Sequence, residues 1–409
     1  MAAEILRRVE SSGVLLSDAL YSPKFEKLPP QDRGLATEIA LGVLRRRGEL
    51  DNRIAKASSR PVSSLDPEVR AALRIGAYQI LHLDRVPARA AVNESVELVK
   101  AARKRSAAGF VNAVLRRIGP PLPAKDAALL SHPEWMVERW RQRYGDSVTE
   151  GLLEANVITP GVFIRVNAMF PAEETAAMLA AEGIPTEPSE VPGCRRVTSG
   201  DPQASGCFRE GRIRVQDIGS QAIVPLLELR PGQRFLDLCA APGGKCFHAA
   251  ELLGSAQGIA AADRQISRLR TMRRLATPPA DRGLDMVALD AEQPLPFQTR
   301  FDRILADAPC TGSGTLARNP DIKWRLAPGD ISRLAARQRA ILDRALDLLA
   351  PEGMLVYSTC SLEPEENELA VSAILERRTE FRAGAYLQRI PGREAGDGFF
   401  AQQIIRKRL

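Results

Sequence analysis

Apolar residues recur every three or four positions through 33–46 (RGLATEIALGVLRR) and 91–117 (AVNESVELVKAARKRSAAGFVNAVLRR). That spacing lines one face of a helix, and strand signals are few in the first third of the chain. The run Gly119-Pro120-Pro121-Leu122-Pro123 stops helices and favours extended backbone, so residues 1–125 are expected to form a helical domain closed by a linker. The next pattern is mixed. SHPEWMVERWRQRYG predicts an amphipathic helix in which Trp135 and Trp140 belong to a core rather than to a base-stacking platform. Short β-like runs, GVFIRVNAM and RIRVQD, flank the helical stretch PAEETAAMLAAEG, which predicts a small α+β module over 130–215. From 216 to 409 the strand-like runs RFLDLCA, GIAAAD, MVALD, RILADAP and GMLVYST alternate with helical stretches, the mark of a doubly wound, mainly parallel sheet.

Composition narrows the class. With 44% hydrophobic and 26% charged residues the chain reads as a soluble globular protein. No apolar run approaches the ~20 residues of a membrane span, and MAAEILRRVESSGVLL lacks the apolar stretch of a signal peptide. Six cysteines without a CxxC pair argue against a disulfide framework or a zinc site, and three scattered histidines against any metal centre. A reducing cytoplasm is therefore expected, where thiols remain available. Charge is uneven: residues 1–120 hold 21 Lys+Arg against 13 Asp+Glu, while the whole chain is +7. The clusters Arg45-Arg46-Arg47, Arg103-Lys104-Arg105 and Arg116-Arg117 suit a phosphate backbone, although any one of them also fits a solvated helix face.

Candidate chemistry gathers where strands end. The first strand of the α/β region runs into Asp237-Leu238-Cys239-Ala240-Ala241-Pro242-Gly243-Gly244-Lys245. Gly243 and Gly244 let backbone approach a ligand before the next helix starts near Cys246. The loop matches neither a Walker A nor a GxGxxG fingerprint, so a neutral or cationic nucleoside fits it better than a phosphate. Asp263 ends the second strand, placed for ribose hydroxyls; Asp290 ends the third, placed to border an adenine; Asp307 ends the fourth. A lone Asp there is usually a cap or turn residue, but three in series after a glycine loop point to one shared ligand, S-adenosylmethionine.

Two thiols sit at such ends, Cys310 after Asp307-Ala308-Pro309 and Cys360 in Ser358-Thr359-Cys360-Ser361. Taken alone they fit buried small hydrophobes or a redox pair. Downstream of a nucleoside loop, they suggest attack on an electron-poor ring followed by a separate release. Other residues leave alternatives open. Arg165 and Asn167 are RNA contacts or ordinary polar residues; Lys323, Trp324 and Arg325 contact RNA or brace their loop; Asn367 and Glu368 cap or solvate a helix. Cys194 and Cys207 receive no role, and Cys246 packs a helix.

Residues 87–118, through Val92-Asn93-Glu94 and Gly109-Phe110-Val111-Asn112, resemble the NusB family of helical RNA-binding domains. Residues 216–409 resemble the RNA 5-methylcytosine methyltransferases through LDLCAAPGGK, ADAPCTGSGT, NPDIKWR, YSTCSLEPEENE and GDGFFAQ. The whole layout is similar to the bacterial Sun/RsmB family, which joins both parts and methylates 16S ribosomal RNA. The resemblance implies an all-α RNA-binding domain, a small α+β module and a Rossmann-like methyltransferase domain. It implies S-adenosylmethionine bound by residues 239–245 (Cys239, Ala240, Ala241, Pro242, Gly243, Gly244, Lys245), Asp263, Asp290 and Asp307. It further implies Cys360 as the nucleophile at carbon 6 of cytosine, Cys310 in release and Asp307 on the base edge. The expected partner is 16S ribosomal RNA before or during small-subunit assembly, with no membrane and a monomeric, cytoplasmic enzyme. Two alternatives remain: a silent RNA-binding assembly factor, and a DNA-type methyltransferase in which Cys310 forms the adduct.

Overall fold

The computed structural model describes residues 1–20, 22–276 and 283–407. The chain divides into two compact units, Met1–Pro160 with Thr315–Leu326, and Gly161–Gly314 with Ala327–Leu409. Among the described residues, no helix is long and apolar enough to cross a membrane.

The first unit is helical. The periodic run 33–46 lies on helix Pro30–Arg45, whose Pro30 stands at the first turn, where a missing N–H costs no bond. Its buried Ile39, Ala40 and Val43 share a core with Leu50, Ile54, Leu73, Val99 and Val111 from the neighbouring helices. The run 91–117 is not one helix: it splits into Ala88–Ala101 and Ala108–Arg116, with Arg103 in left-handed conformation (φ 60) between them. Trp140 is fully enclosed in helix Glu134–Ala155, which breaks at Gly145 (φ 77).

Residues 315–326 lie far along the sequence yet fold into this helical unit. The Lys323 Nζ donates to the Arg45 carbonyl at 2.8 Å, the Trp324 indole N–H to the Leu44 carbonyl at 2.8 Å, and Arg45 Nε to the Ala317 carbonyl at 2.6 Å. Lys323 is 1% exposed, and burial with nearby Arg45 holds its ammonium well below the usual lysine range. Arg47 stacks on Trp324 at 4.9 Å, and Arg325 pairs with Asp321 at 3.3 Å. Of the two readings for NPDIKWR, bracing is the one these contacts describe.

The second unit holds two sheets. Strands β1 (Val162–Val166), β2 (Thr186–Pro188), β3 (Cys194–Val197) and β4 (Ile213–Val215) form an antiparallel sheet in the order β2-β3-β1-β4. Helix Ala172–Ala181 buries Leu179 against Ile164, Val166, Ile184 and Ile213. The larger sheet contains β5 (Phe235–Asp237), β6 (Ile259–Asp263), β7 (Asp285–Ala288), β8 (Phe301–Asp307), β9 (Leu349–Thr359), β10 (Phe381–Arg389) and β11 (Phe399–Arg406). Its order is β10-β11-β9-β8-β5-β6-β7. The five strands from β7 to β9 run parallel, as the alternating pattern predicts. β11 pairs antiparallel with both β9 and β10. All five residues of β6 are buried, as expected of a parallel strand covered on both faces.

Candidate active site

At the carboxyl ends of β5, β6, β8 and β9 the second unit opens a cavity of about 510 Å³. Open α/β sheets place ligands in this crevice. The glycine loop forms one wall. After β5 the chain stays tied to its neighbours, Leu238 N–H donating to the Leu305 carbonyl at 3.0 Å and Ala240 N–H to the Ala262 carbonyl at 2.8 Å. Gly243 then takes φ 111, and a Cβ there would stand 2.5 Å from the Phe247 ring, so only glycine fits the turn. The helix starts at Gly244, two residues before the expected Cys246. Cys239, Ala241 and Pro242 line the cavity, while Ala240 packs into the core behind it. Cys246 is fully buried, as are Cys194 and Cys207 in the small module.

The three acids converge on the same space. Asp263 ends β6 and accepts hydrogen bonds from Gln265 N–H at 2.8 Å and Arg268 at 3.2 Å. Asp290 stands two residues beyond the end of β7 rather than at it, and accepts from Glu292 N–H at 3.1 Å. Asp307 ends β8; its carboxylate takes the Lys245 ammonium at 2.7 Å on one oxygen and the Ser358 hydroxyl at 2.7 Å on the other. Burial pulls the Lys245 pKa down, but the Asp307 charge and hydrogen bond outweigh it and leave it raised. A fourth acid, Asp237, went unassigned in the sequence. It is 1% exposed, its Oδ1 has no hydrogen-bond partner among the described residues, and burial, then Asp307, pushes it up to about 8. Burial and Asp237 likewise push the Cys239 thiol up.

The two thiols meet. Cys310 and Cys360 bring their sulfurs to 3.3 Å. The hydrogen bond with Cys360, then burial, raises the Cys310 thiol well above its ordinary value. Backbone bonds knit their loops: Ala308 N–H to the Ser358 carbonyl at 2.9 Å, Gly314 N–H to the Cys360 carbonyl at 3.0 Å, and Gly398 N–H to the Gly314 carbonyl at 2.7 Å. A Cβ on Gly314 would stand 2.9 Å from the Cys360 carbonyl oxygen, so these loops touch only because position 314 is glycine. Asn367 stands at the N-cap of helix Glu368–Leu375 but is buried, and its side chain serves other groups: it accepts from the Thr359 hydroxyl at 2.5 Å and donates to the Ser361 carbonyl at 2.9 Å. Glu368 opens helix Glu368–Leu375.

Arg165 and Asn167 are structural. Arg165 is 2% exposed and donates to both Glu251 oxygens, at 2.7 and 3.1 Å, and to the Gly244 carbonyl at 3.1 Å. Asn167 donates to the Gly211 carbonyl at 3.1 Å.

Known proteins resemble this chain along its whole length. The family described as 16S rRNA methyltransferase RsmB/F matches residues 224–405, the NusB family residues 1–120, and an RsmF/B-like ferredoxin-like domain residues 132–198. "Ribosomal RNA small subunit methyltransferase B" of Citrobacter koseri is 35% identical over 100% of this chain and 98% of its own length. The chain belongs to the ribosomal RNA small subunit methyltransferase B family. Among solved structures, that of PH0851 superposes over 99% of this chain and 97% of its own, with TM-score 0.81 and 26% identity. A methyltransferase homologue from Pyrococcus horikoshii covers 69% of this chain and 99% of its own, with TM-score 0.62 and 26% identity.

As a member of this methyltransferase family the protein takes S-adenosylmethionine as cofactor and RNA as substrate. The residues present fit that cofactor. A cationic nucleoside suits a cavity bordered by Asp263, Asp290 and Asp307. The loop before the glycine turn supplies a wall of small side chains, Cys239, Ala241 and Pro242.

Proposed function

We propose that this protein methylates carbon 5 of a cytosine in 16S ribosomal RNA through a covalent adduct between Cys360 and carbon 6. The observation that carries the proposal is the pair of sulfurs 3.3 Å apart at the ends of adjacent strands, opening into the nucleoside cavity beside Asp307. Carbon 5 of cytosine is too weak a nucleophile to take a methyl group unaided. Addition of the Cys360 thiolate at carbon 6 turns the ring into an enamine whose carbon 5 is nucleophilic. Asp307, braced by Lys245 and Ser358, holds the base edge while electrons move toward N3. S-adenosylmethionine, when bound, supplies the electrophilic methyl group.

Release needs the carbon-5 proton removed and the carbon 6–sulfur bond broken, which restores the ring double bond and the Cys360 thiolate. Cys310 stands beside both events. Once Cys360 is a thioether, its share in raising the Cys310 thiol falls away, while burial and Glu366 still hold that thiol up. Cys310, its own proton passed to solvent water, takes the one from carbon 5 as a thiolate, directly or through a water. The target base reaches the cavity only if unstacked or already single-stranded.

The division of labour we propose is RNA binding by residues 1–125, linking and RNA contact by 130–215, and catalysis by 216–409. The protein acts as a cytoplasmic monomer on RNA before or during subunit assembly. Denaturing gels of enzyme with labelled 16S RNA and S-adenosylmethionine test the chemistry. Cys310→Ala should accumulate a gel-stable protein–RNA adduct, while Cys360→Ala should give neither adduct nor methylation. An adduct that persists in Cys360→Ala and vanishes in Cys310→Ala would reverse the thiols and favour the DNA-type mechanism. RNA binding without adduct or methyl transfer in any form would leave a binding protein.

A further inference from the structure

We propose that Glu366 is the positioning residue that holds the two thiols together. Its side chain is fully buried, so it acts through Cys310 and Cys360 rather than on a substrate. One carboxylate oxygen accepts from the Thr311 backbone N–H and from Gln338 Nε2, each at 2.9 Å. The other accepts from the Thr311 hydroxyl at 2.5 Å and from the Ser361 hydroxyl. Thr311 follows Cys310 in the chain and Ser361 follows Cys360, so one carboxylate grips the residue after each thiol. The two hydroxyls stand 3.1 Å apart, matching the sulfur separation of 3.3 Å one residue earlier. Gln338 also donates to the Pro309 carbonyl at 2.9 Å, which latches the residue before Cys310 to the same centre. Neighbouring strands lie about 4.8 Å apart, a backbone spacing at which two thiols meet only while their loops hold both side chains facing each other. This carboxylate bonds both loops with its side chain, and the Ser313 hydroxyl, which accepts from Leu362 N–H at 2.9 Å, adds a second link between them. Removing the carboxylate would take away the acceptor that these four buried groups share, and the Thr311 backbone N–H would have none in its place.

This role rests on the thiol chemistry proposed above, but it can be measured without it. Diamide oxidises a close pair of thiols to a disulfide, taking up their two protons and two electrons, at a rate set by how often the sulfurs meet. The Cys310–Cys360 disulfide would be quantified by peptide mass in wild type, Glu366→Ala and Glu366→Gln. Glutamine keeps the shape and can bond all four groups; alanine can bond none. Glu366→Ala should form the disulfide at least about tenfold more slowly, and Glu366→Gln should stay within about threefold of wild type. With labelled RNA and S-adenosylmethionine, Glu366→Ala should build up adduct, because release loses its partner thiol before methyl transfer does. Disulfide formation at the wild-type rate in Glu366→Ala would overturn the proposal. If that variant fails to fold by circular dichroism, Thr311→Val with Ser361→Ala decides by the same rate, since it cuts both hydroxyl links and spares the carboxylate. A slowed disulfide in the variants, with no adduct in any form including wild type, would uphold the positioning role and remove the catalytic reading alone.

Discussion

His132 lies 5% exposed in the helical unit. Its Nδ1 stands 2.7 Å from the Ala128 carbonyl, which makes that nitrogen the N–H donor, and its Nε2 has no hydrogen-bond partner among the described residues. Burial, then the nearby Lys323, holds its pKa well below 6.5. As pH falls through about 6.5 the unfolded chain therefore binds a proton that the folded one refuses. Stability is fully present above that value and is lost below it, at up to ~1.4 kcal/mol per pH unit for one such group. Between pH 7.5 and 5.5, urea unfolding should show wild type losing stability and His132→Phe losing distinctly less. An identical loss in the variant would mean the ring is accessible to protons in the fold. His248 is buried in the other unit with a pKa also driven down by burial, so His248→Phe offers the parallel comparison. In the sequence these histidines were legible only as too scattered to bind a metal. The same division runs through the site. Cys310, Cys360, Asp263 and Asp307 announce themselves by following apolar strand runs. Glu366 and Asn367 do not, because what defines them is burial and the groups they bond, and Asp237, which also ends an apolar run, is set apart only by its burial. Glu366 meets Thr311 across 55 positions of chain, and no local pattern records that contact.

At the scale of elements, β1 of the small module is joined to the helix behind the glycine loop by the Arg165–Glu251 pair, at side-chain exposures of 2% and 1%. Removing one partner of such a pair strands a buried charge and typically costs about 3–5 kcal/mol, whereas replacing both by apolar residues is often nearly neutral. Arg214, 3.4 Å from Glu251, softens the loss but does not reach full compensation. Arg165→Met should therefore destabilise the protein by about 3 kcal/mol in urea unfolding, and the double replacement Arg165→Met with Glu251→Met should recover most of that. Affinity for S-adenosylmethionine should separate the two roles of Arg165. Both variants lose the donor to the Gly244 carbonyl, so both should bind cofactor more weakly by calorimetry even where stability returns. Full recovery of affinity in the double variant would show that the ion pair alone holds the loop. The α/β region was readable because parallel strands buried on both faces form continuous apolar runs between helices. The β10–β11 hairpin was not. β10 carries the polar sequence FRAGAYLQR with a broken register near Ala383, and an edge strand of that kind lacks the apolar run that marks its neighbours.

For the whole molecule, the basic excess of residues 1–120 suggested a surface for a phosphate backbone, but the fold distributes it unevenly. Arg45 is 3% exposed and donates to the Ala317 carbonyl, and Arg47 pairs with Glu10 at 3.3 Å. This cluster serves the interior of its own unit. Lys104 pairs with Asp66 at 2.8 Å. Of the three basic clusters, Arg103, Arg105, Arg116 and Arg117 remain exposed, which makes them the cluster residues to test for RNA contact. Each phosphate contact by a cation adds roughly 0.7 to 0.9 to the slope of log affinity against log salt. Changing all four arginines to glutamine should therefore flatten that slope by up to about 3 and weaken binding most at low salt, as filter binding across a salt series would read. Cofactor affinity should not change, because these arginines belong to the helical unit and the cofactor cavity lies wholly in the other. An unchanged slope would remove RNA binding from this face. The localised charge would then be an ordinary solvated helical surface, and the phosphate contacts would have to be sought in the unit that carries the thiols.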